Sequence, residues 1–419
     1  MSLLYPIFVR LLILGFKIGA LFNSKLRLGL QGRKKSLEKV RSRISPEEPL
    51  LWMHAASLGE YEQGLPVLEL LEKRYPNYKT LITFFSPSGY EIVERKNSNP
   101  QRVLCYLPFD LKSEISPFVN SLNTKIFFTV KYDYWYELIK QLNARSTKLF
   151  VVSALFYKNQ VFFKPIGKPL VEKLKIGMHW FFHQTPQSLD LANSVGLSQG
   201  SVSGDTRYDR VKENVRKAAS IPFIQEFKGL SPLLIFGSSW EAEEKIAYEI
   251  SQLYPEAKIV IAPHDLTRLK KLKIQMPEAL LYSEITNAES EKCQDARVLI
   301  IDSIGKLSTL YGYGDLAVVG GGFHSKGLHN CLEAAAFGIP VFFGNKYKEN
   351  PEADALIQAD AARSFLTQED ALRFISQLLR HSGKLKAMGQ NAGDFVSAQP
   401  SSATLILQKI EEIAPDHKL

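Results

Sequence analysis

From Leu50 onward, short apolar runs alternate with amphipathic segments, and this alternation constrains the fold more than any other feature. Strands are expected at 50–55, 80–85, 103–107, 125–130, 148–153 and 179–183, and again at 233–237, 258–262, 279–283, 297–301, 316–320 and 340–343. Helical patterns lie between them, as at 61–74, 86–96, 240–253, 304–312 and 328–337. Alternation on this scale implies parallel sheets with helices on both faces and right-handed connections. The pattern runs twice, which predicts an α/β chain of two doubly wound, Rossmann-like domains facing each other across a central cleft. With 419 residues, 45% of them hydrophobic, the chain can bury two such cores. The expected division is an arm over 1–45, an N-terminal domain over 46–206, a C-terminal domain over 207–400 and a final segment, 401–419. The seam falls near GDTRYDRV, residues 204–211, and the first domain is the candidate partner of a last helix at 402–413.

The arm stands apart from this pattern. Residues 3–22 read LLYPIFVRLLILGFKIGALF, an apolar run just long enough to span a bilayer. Arg10 and Lys17 are seven residues apart and share a helical face. Each would cost about 2.5–3.5 kcal/mol near mid-bilayer. A helix lying in the interface avoids that cost, because both side chains reach the headgroups. An interfacial helix is therefore expected, with a spanning anchor or a helix buried in protein as alternatives. A signal peptide fits less well: the basic cluster follows the apolar run, and no clear A-x-A site appears. Residues 1–43 hold ten basic residues against Glu38 alone, so the whole formal charge of +9 resides in this arm. A basic arm beside an apolar helix points to anionic lipid on the cytoplasmic side. It points away from nucleic acid, whose binders spread their cations over a folded face. Deleting the helix is expected to weaken membrane association more than the chemistry of the body. The three cysteines, Cys105, Cys293 and Cys331, are far apart and suggest neither a disulfide framework nor a zinc site.

In open parallel sheets, ligands bind beyond the carboxyl ends of the strands. Five turns at such positions carry chemistry: SLGE (57–60), SPSG (86–89), GSSWEAEE (237–244), PHDLTR (263–268) and GGGFHSKGLHNCLEAAAFG (320–338). In the last, Gly320, Gly321 and Gly322 would let a ligand approach the backbone, and a helix opening near His329 would offer N–H groups to a phosphate. Asn330 and Glu333, three apart, would stack on its first turn, the carboxylate placed for a ribose. Helix capping is the plainer reading of the same residues. Ser238 and Ser239 either cap the next helix or add phosphate donors. His264 could meet a base ring or a phosphate, or lie solvated in its loop. Glu60, just after Gly59, is locally either a helix-start residue or a base aimed into a cleft. A helix start favours its ionised form.

These segments together resemble the Kdo transferases of lipopolysaccharide synthesis, glycosyltransferases of the two-Rossmann GT-B type. WMHAASLGEYEQGLPVLELL is similar to the family's W-x-H-x-x-S-x-G-E segment, which contains Ser57, Gly59 and Glu60 here. ITFFSPSGYE, YLPFDL and VSGDTRYDRV resemble its T-T-x-T-P-T-G, Y-x-P-x-D and G-x-x-K-F-D stretches. Residues 302–341 are similar to its long D-T-x-G-E-L to P-V block. Two departures stand out. Lys131 replaces the first acid of the family's E-T-E-L-W-P, and Arg207 replaces a lysine.

The resemblance implies inverting, metal-independent transfer of Kdo from CMP-Kdo to the lipid A precursor, with no cofactor. Glu60 becomes the base that deprotonates the acceptor. Asn330 and Glu333 fall on CMP-ribose positions, His264 near the nucleotide, and Ser238 and Ser239 beside the donor. Ser57, Gly59, Lys131 and Arg207 become candidates for contact with the acceptor or the Kdo carboxylate. The implied partners are an anionic glycolipid and inner-membrane lipid, at the cytoplasmic face, held peripherally or by one anchor. Two other readings stay open: a GT-B transferase that uses a uridine sugar nucleotide and a lipid acceptor, or a membrane-docked nucleotide-binding module without turnover.

Overall fold

The computed structural model describes residues 4–285, 290–325, 327–348 and 350–414. The chain forms two compact units. The first runs to Arg210 and takes back the segment from Pro400; the second is Val211–Gln399.

The first unit holds a seven-stranded parallel sheet: β1 (Pro49–Ala55), β2 (Lys79–Phe84), β3 (Arg102–Tyr106), β4 (Asn123–Val130), β5 (Lys148–Ala154), β6 (Trp180–His183) and β7 (Gly200–Val202), in the order β3-β2-β1-β4-β5-β6-β7. Leu50 and Trp52 of β1 enter the core on one face of this sheet, and Leu51 and Met53 enter the core on the other. Two buried faces explain why these strands read as continuous apolar runs and not as alternating ones. The second unit repeats the plan with β8 (Leu233–Ser239), β9 (Lys258–Pro263), β10 (Leu280–Leu281), β11 (Val298–Ile300), β12 (Leu316–Val319), β13 (Val341–Gly344) and β14 (Ala362–Phe365). Its order is β10-β11-β9-β8-β12-β13-β14, again all parallel. Both sheets are Rossmann-like, as GT-B architecture requires.

All twelve expected strands are present, and two further ones, β7 and β14, occupy sheet edges. Their sequences, GSV and ARSF, lack an apolar run because an edge strand buries less of itself. Two expected helices are much shorter than their patterns. The segment 304–312 yields Leu307–Leu310 and a following 3-10 turn, and 328–337 yields only Leu332–Ala335. Tight glycine turns on either side leave those segments little room to wind.

The first unit also contains the helices α1 (Leu4–Gly19), α2 (Ser24–Arg43) and α3 (Leu58–Arg74). One side of α1 lies on the first unit. Val9 is buried, the Tyr5 hydroxyl donates to Asp110 at 2.5 Å, and Phe16 packs against Phe85 and Phe109 at ring separations of 5.7 and 6.1 Å. The other side leaves Ile7, Phe8, Leu11, Leu14 and Ile18 at least half exposed, with Arg10 and Lys17 among them. Residues Tyr5–Phe22 are long and apolar enough to cross a membrane by length and composition alone.

The start of α3 is tied to the segment that leads out of the unit. Gln63 donates to Asp205 at 3.0 Å, Thr206 donates to the Gln63 carbonyl at 2.6 Å, and Arg210 pairs with Glu62. The helix Ser402–Ile413 packs on α3 through Ile406 and Ile410, and Glu411 pairs with Arg74. Desolvation opposes the charge of the partly buried Asp205, but the Arg207 guanidinium and its hydrogen bonds win and hold its carboxyl below the usual range.

His183 at the end of β6 is fully buried, with Nδ1 2.9 Å from the Ser188 hydroxyl, and burial lowers its pKa to about 4. The unfolded chain's imidazole titrates near about 6.5, so below that pH the unfolded state binds the extra proton and stability falls as pH drops toward about 4. The melting temperature should therefore decline on acidification from about pH 7 to about pH 4, and less steeply for His183→Gln. Parallel melting curves for the two proteins would show that His183 is not a source of acid lability.

Candidate active site

Strand order turns back between β1 and β4 in the first sheet and between β8 and β12 in the second, where β10 and β11 also lie out of sequence at the edge. Crossovers on either side of such a point run to opposite faces, leaving a crevice at the carboxyl ends of the two central strands. The candidate residues gather at these two places, one in each unit.

In the first unit, β1 ends at Ala55 and α3 begins after Ser57. Glu60 occupies the third position of α3, where a capping-box glutamate would turn back to the N-cap N–H. It does not do so here. Its carboxylate accepts the Ser57 hydroxyl at 2.6 Å, and neither side chain bonds to a helix N–H. Glu60 is partly exposed, and Gly59 beside it is exposed. Across the crevice, Lys131 follows β4 with φ 63°, a left-handed conformation that disfavours a side chain and tends to mark functional loops. Its N–H is fixed by the Val152 carbonyl at 2.9 Å. Arg207 lies apart, at the linker, in a double contact with Asp205 at 2.6 and 2.8 Å.

Beneath this crevice lies a polar cluster that the sequence alone did not reveal. His54, fully buried on β1, has Nδ1 2.9 Å from the Thr83 hydroxyl and Nε2 2.6 Å from the Asp133 carboxylate. Trp135 Nε1 donates to Asp133 at 3.1 Å, and Trp52 Nε1 donates to Thr83 at 2.8 Å. The histidine thereby joins the ends of β1, β2 and β4. A buried histidine in an apolar strand gave no hint of a partner 79 residues away.

In the second unit, Ser238 sits at a register shift in β8 with φ 50°, left-handed like Lys131. The neighbouring Ser239 is fully buried, and its hydroxyl has no protein partner among the described residues. The Glu241–Leu253 helix follows, and its third residue, Glu243, is the positional counterpart of Glu60. The two behave oppositely. Glu243 is buried, accepts the Trp240 N–H at 2.9 Å and the Gly321 N–H at 3.1 Å, and burial raises its pKa.

Several expectations for this region need correction. The N–H groups of Gly320 and Gly321 do not wait for a phosphate: they donate to the Gly237 carbonyl and to Glu243. These glycines are required by protein packing. A Cβ on Gly320 would lie 2.0 Å from the Ser238 carbonyl oxygen, and one on Gly322 would lie 2.6 Å from the Gly344 backbone. The helix expected to open at His329 starts at Leu332 and is only four residues long, so it supplies no phosphate-binding terminus. Asn330 precedes it in the loop and accepts the Leu332 N–H at 3.1 Å. Its amide donates to Glu333 at 3.2 Å, so these two side chains touch each other instead of stacking on one helical turn. Arg268, also in the PHDLTR turn, is engaged by Glu244 at 2.5 and 2.7 Å.

The structure does bring His264 and His329 together, with ring centroids 4.5 Å apart. Trp240 stacks on His264 at 4.7 Å, and His324 meets Trp240 edge-on at 4.8 Å. Burial, reinforced by the two neighbouring imidazoles, lowers the His329 pKa to about 4. Trp240 and His324 were not anticipated as site residues, because only the fold places them beside His264. The result is an aromatic, weakly basic wall next to a buried free hydroxyl, a setting suited to a planar base and its phosphate.

The chain is similar to known proteins in sequence and in fold. Residues 27–210 match the family model described as 3-deoxy-D-manno-octulosonic-acid transferase (kdotransferase). A 3-deoxy-D-manno-octulosonic acid transferase from Haemophilus influenzae is 26% identical over 366 residues, covering 82% of this chain and 82% of that one. A bifunctional glycosyltransferase/methyltransferase from Fusobacterium nucleatum is 26% identical over 326 residues, covering 73% of this chain but only 48% of its own length. Among solved structures, a UDP-GlcNAc 2-epimerase from Neisseria meningitidis superimposes with a TM-score of 0.60 at 14% identity, over 87% of this chain and all of that one, which speaks for the fold alone. The family match over residues 27–210 and these relatives mark the chain as a glycosyltransferase, similar to the Kdo transferases over most of its length.

Proposed function

We propose that this protein transfers Kdo from CMP-Kdo to the lipid A precursor, lipid IVA, at the cytoplasmic face of the inner membrane, with Glu60 as general base. The observation that carries the reading is the state of Glu60. It lies at the reversal point of the first sheet, partly exposed, bonded to a serine hydroxyl and to no backbone group. Its counterpart Glu243 is consumed by structure. A carboxylate left out of its own helix cap has lost the usual reason for its position.

In this reaction the acceptor hydroxyl oxygen attacks the anomeric carbon as its proton passes to Glu60. The bond from that carbon to the CMP phosphate oxygen breaks, and CMP departs as a phosphate monoester. Attack opposite the leaving group inverts the centre. The Ser57 hydroxyl orients the carboxylate. Lys131, on the strained turn across the crevice, supplies positive charge for the Kdo carboxylate or for an acceptor phosphate. Arg207, already paired with Asp205, is the weaker candidate.

Donor recognition falls to the second unit. The Trp240, His264 and His329 wall suits the cytosine ring, and the touching Asn330 and Glu333 suit the ribose hydroxyls. With the Gly320 and Gly321 N–H groups occupied, Ser238, Ser239 and the imidazoles remain to meet the phosphate. Neither metal nor cofactor is assigned a role. The family match and the Kdo transferase relatives support this donor over a uridine sugar nucleotide.

For the membrane, the one-sided docking of α1 favours the interfacial form over a spanning one. Its exposed apolar stripe would lie among acyl chains while Arg10, Lys17 and the cations of α2 meet anionic headgroups.

Glu60→Gln should lower Kdo transfer by about 10²–10⁴-fold while CMP affinity stays unchanged; undiminished turnover would remove Glu60 from its role. Ser239→Ala, which removes a buried and unsatisfied hydroxyl, should leave the melting temperature unchanged or higher, yet weaken CMP binding about threefold to tenfold by calorimetry. Equal CMP affinity would place the phosphate elsewhere. Leu11→Ser with Leu14→Ser should reduce sedimentation with anionic vesicles, and undiminished sedimentation would argue against α1 as the membrane contact.

A further inference from the structure

The inward side of α1 reaches the loop that carries Lys131 by two separate routes. The first is a hydrogen-bonded one. The Tyr5 hydroxyl donates to Asp110 Oδ2 at 2.5 Å, and Asp110, 1% exposed, accepts the Glu137 and Leu138 N–H groups at 2.8 Å each. Asp110 thus caps the helix Tyr136–Asn143, whose first turn closes the loop 131–135, and the Tyr5 ring rests on Tyr136 at 5.3 Å. The second route runs through rings. Phe16 packs on Phe85, and Phe85 stacks on Trp135 at 5.0 Å and 22°. Trp135 donates to Asp133, which bonds to His54 six residues ahead of Glu60. Arg33 of α2 clamps the middle of this stack, with its guanidinium 4.5 Å above the Phe85 ring and a 2.6 Å bond to the Phe85 carbonyl.

We propose that α1 is a working part of the acceptor site: Tyr5 and Phe16 are positioning residues that hold loop 131–136 in its catalytic form, while the opposite side of the same helix faces lipid. The proposal rests on the reading of Glu60 and Lys131 as acceptor-side groups. A left-handed Lys131 persists only where its surroundings over-determine it, and the far end of those surroundings, Trp135 to Leu138, is held through α1. The outward side of the same helix is the apolar stripe offered to lipid. Interfacial burial of that stripe and packing of Tyr5 and Phe16 then favour one orientation of α1. This departs from the expectation that removing the helix would weaken membrane association more than the chemistry of the body.

The test separates the two sides of α1. Tyr5→Phe and Phe16→Ala alter the inward contacts; Leu11→Ser with Leu14→Ser alters the outward ones. Each protein is compared with wild type by amide hydrogen exchange across residues 131–138, by CMP affinity, by anionic-vesicle sedimentation and by steady-state transfer to a detergent-dispersed acceptor. Inward variants should speed exchange at Glu137 and Leu138 about tenfold and raise acceptor KM, with CMP affinity and vesicle binding retained. The outward variant should lose vesicle binding and keep wild-type exchange and detergent-phase kinetics. Wild-type exchange in both inward variants would overturn the proposal, as would a general loss of protection beyond loop 131–138, which would make Tyr5 and Phe16 merely stabilising. If the wild type transfers nothing, the functional reading fails while the exchange comparison still decides whether α1 orders the loop.

Discussion

Everything functional in this chain depends on where parallel strand order reverses. A parallel sheet sends every strand's carboxyl end to the same edge, and the reversal opens a crevice there that no crossover helix covers. Each unit has such a point. The first is flanked by Glu60 and Lys131, the second by Ser238 and the Gly320–Gly322 turn. Two of the six described non-glycine residues with left-handed backbones, Lys131 and Ser238, stand beside these points. Such strain is of order 1–3 kcal/mol per residue and survives only under firm support.

The contrast between Glu60 and Glu243 shows how one local pattern serves two ends. Both occupy the third position of a helix that follows a central strand. Glu243 stabilises its helix start and pins the glycine turn of a neighbouring strand, so the second unit gains rigidity where a nucleotide would rest. Glu60 does neither and remains accessible. The links from Glu62 and Gln63 to Arg210 and Asp205 hold the last residues of the first unit within a turn of Glu60.

Much of this was legible in the sequence, for identifiable reasons. Buried parallel strands such as LLWMHA and LLIFG announce themselves as apolar runs, and all twelve of that kind appear. The terminal helix 402–413 carries its own capping serine, Ser401, and its limits follow. The edge strands Gly200–Val202 and Ala362–Phe365 were illegible because an edge strand is only partly buried and needs no continuous apolar run. The site residues were visible as motifs, but their roles within the fold were not. Nothing local in GGGF reveals that its glycines pack against Ser238 and Gly344 backbone. Nothing near Trp240, His324 or His54 reveals partners dozens of residues away, since those contacts exist only after the sheets assemble. The helix misread at His329 has a physical cause: Asn330 accepts the Leu332 N–H through its side chain, a turn that competes with winding.

The most direct test is to supply purified full-length protein with freshly generated CMP-Kdo and tetraacylated lipid A precursor in anionic vesicles and to weigh the glycolipid by mass spectrometry. The account predicts an acceptor heavier by a whole number of Kdo residues, with CMP released in equal amount. An acceptor left unchanged by CMP-Kdo but glycosylated from a uridine sugar nucleotide would contradict it.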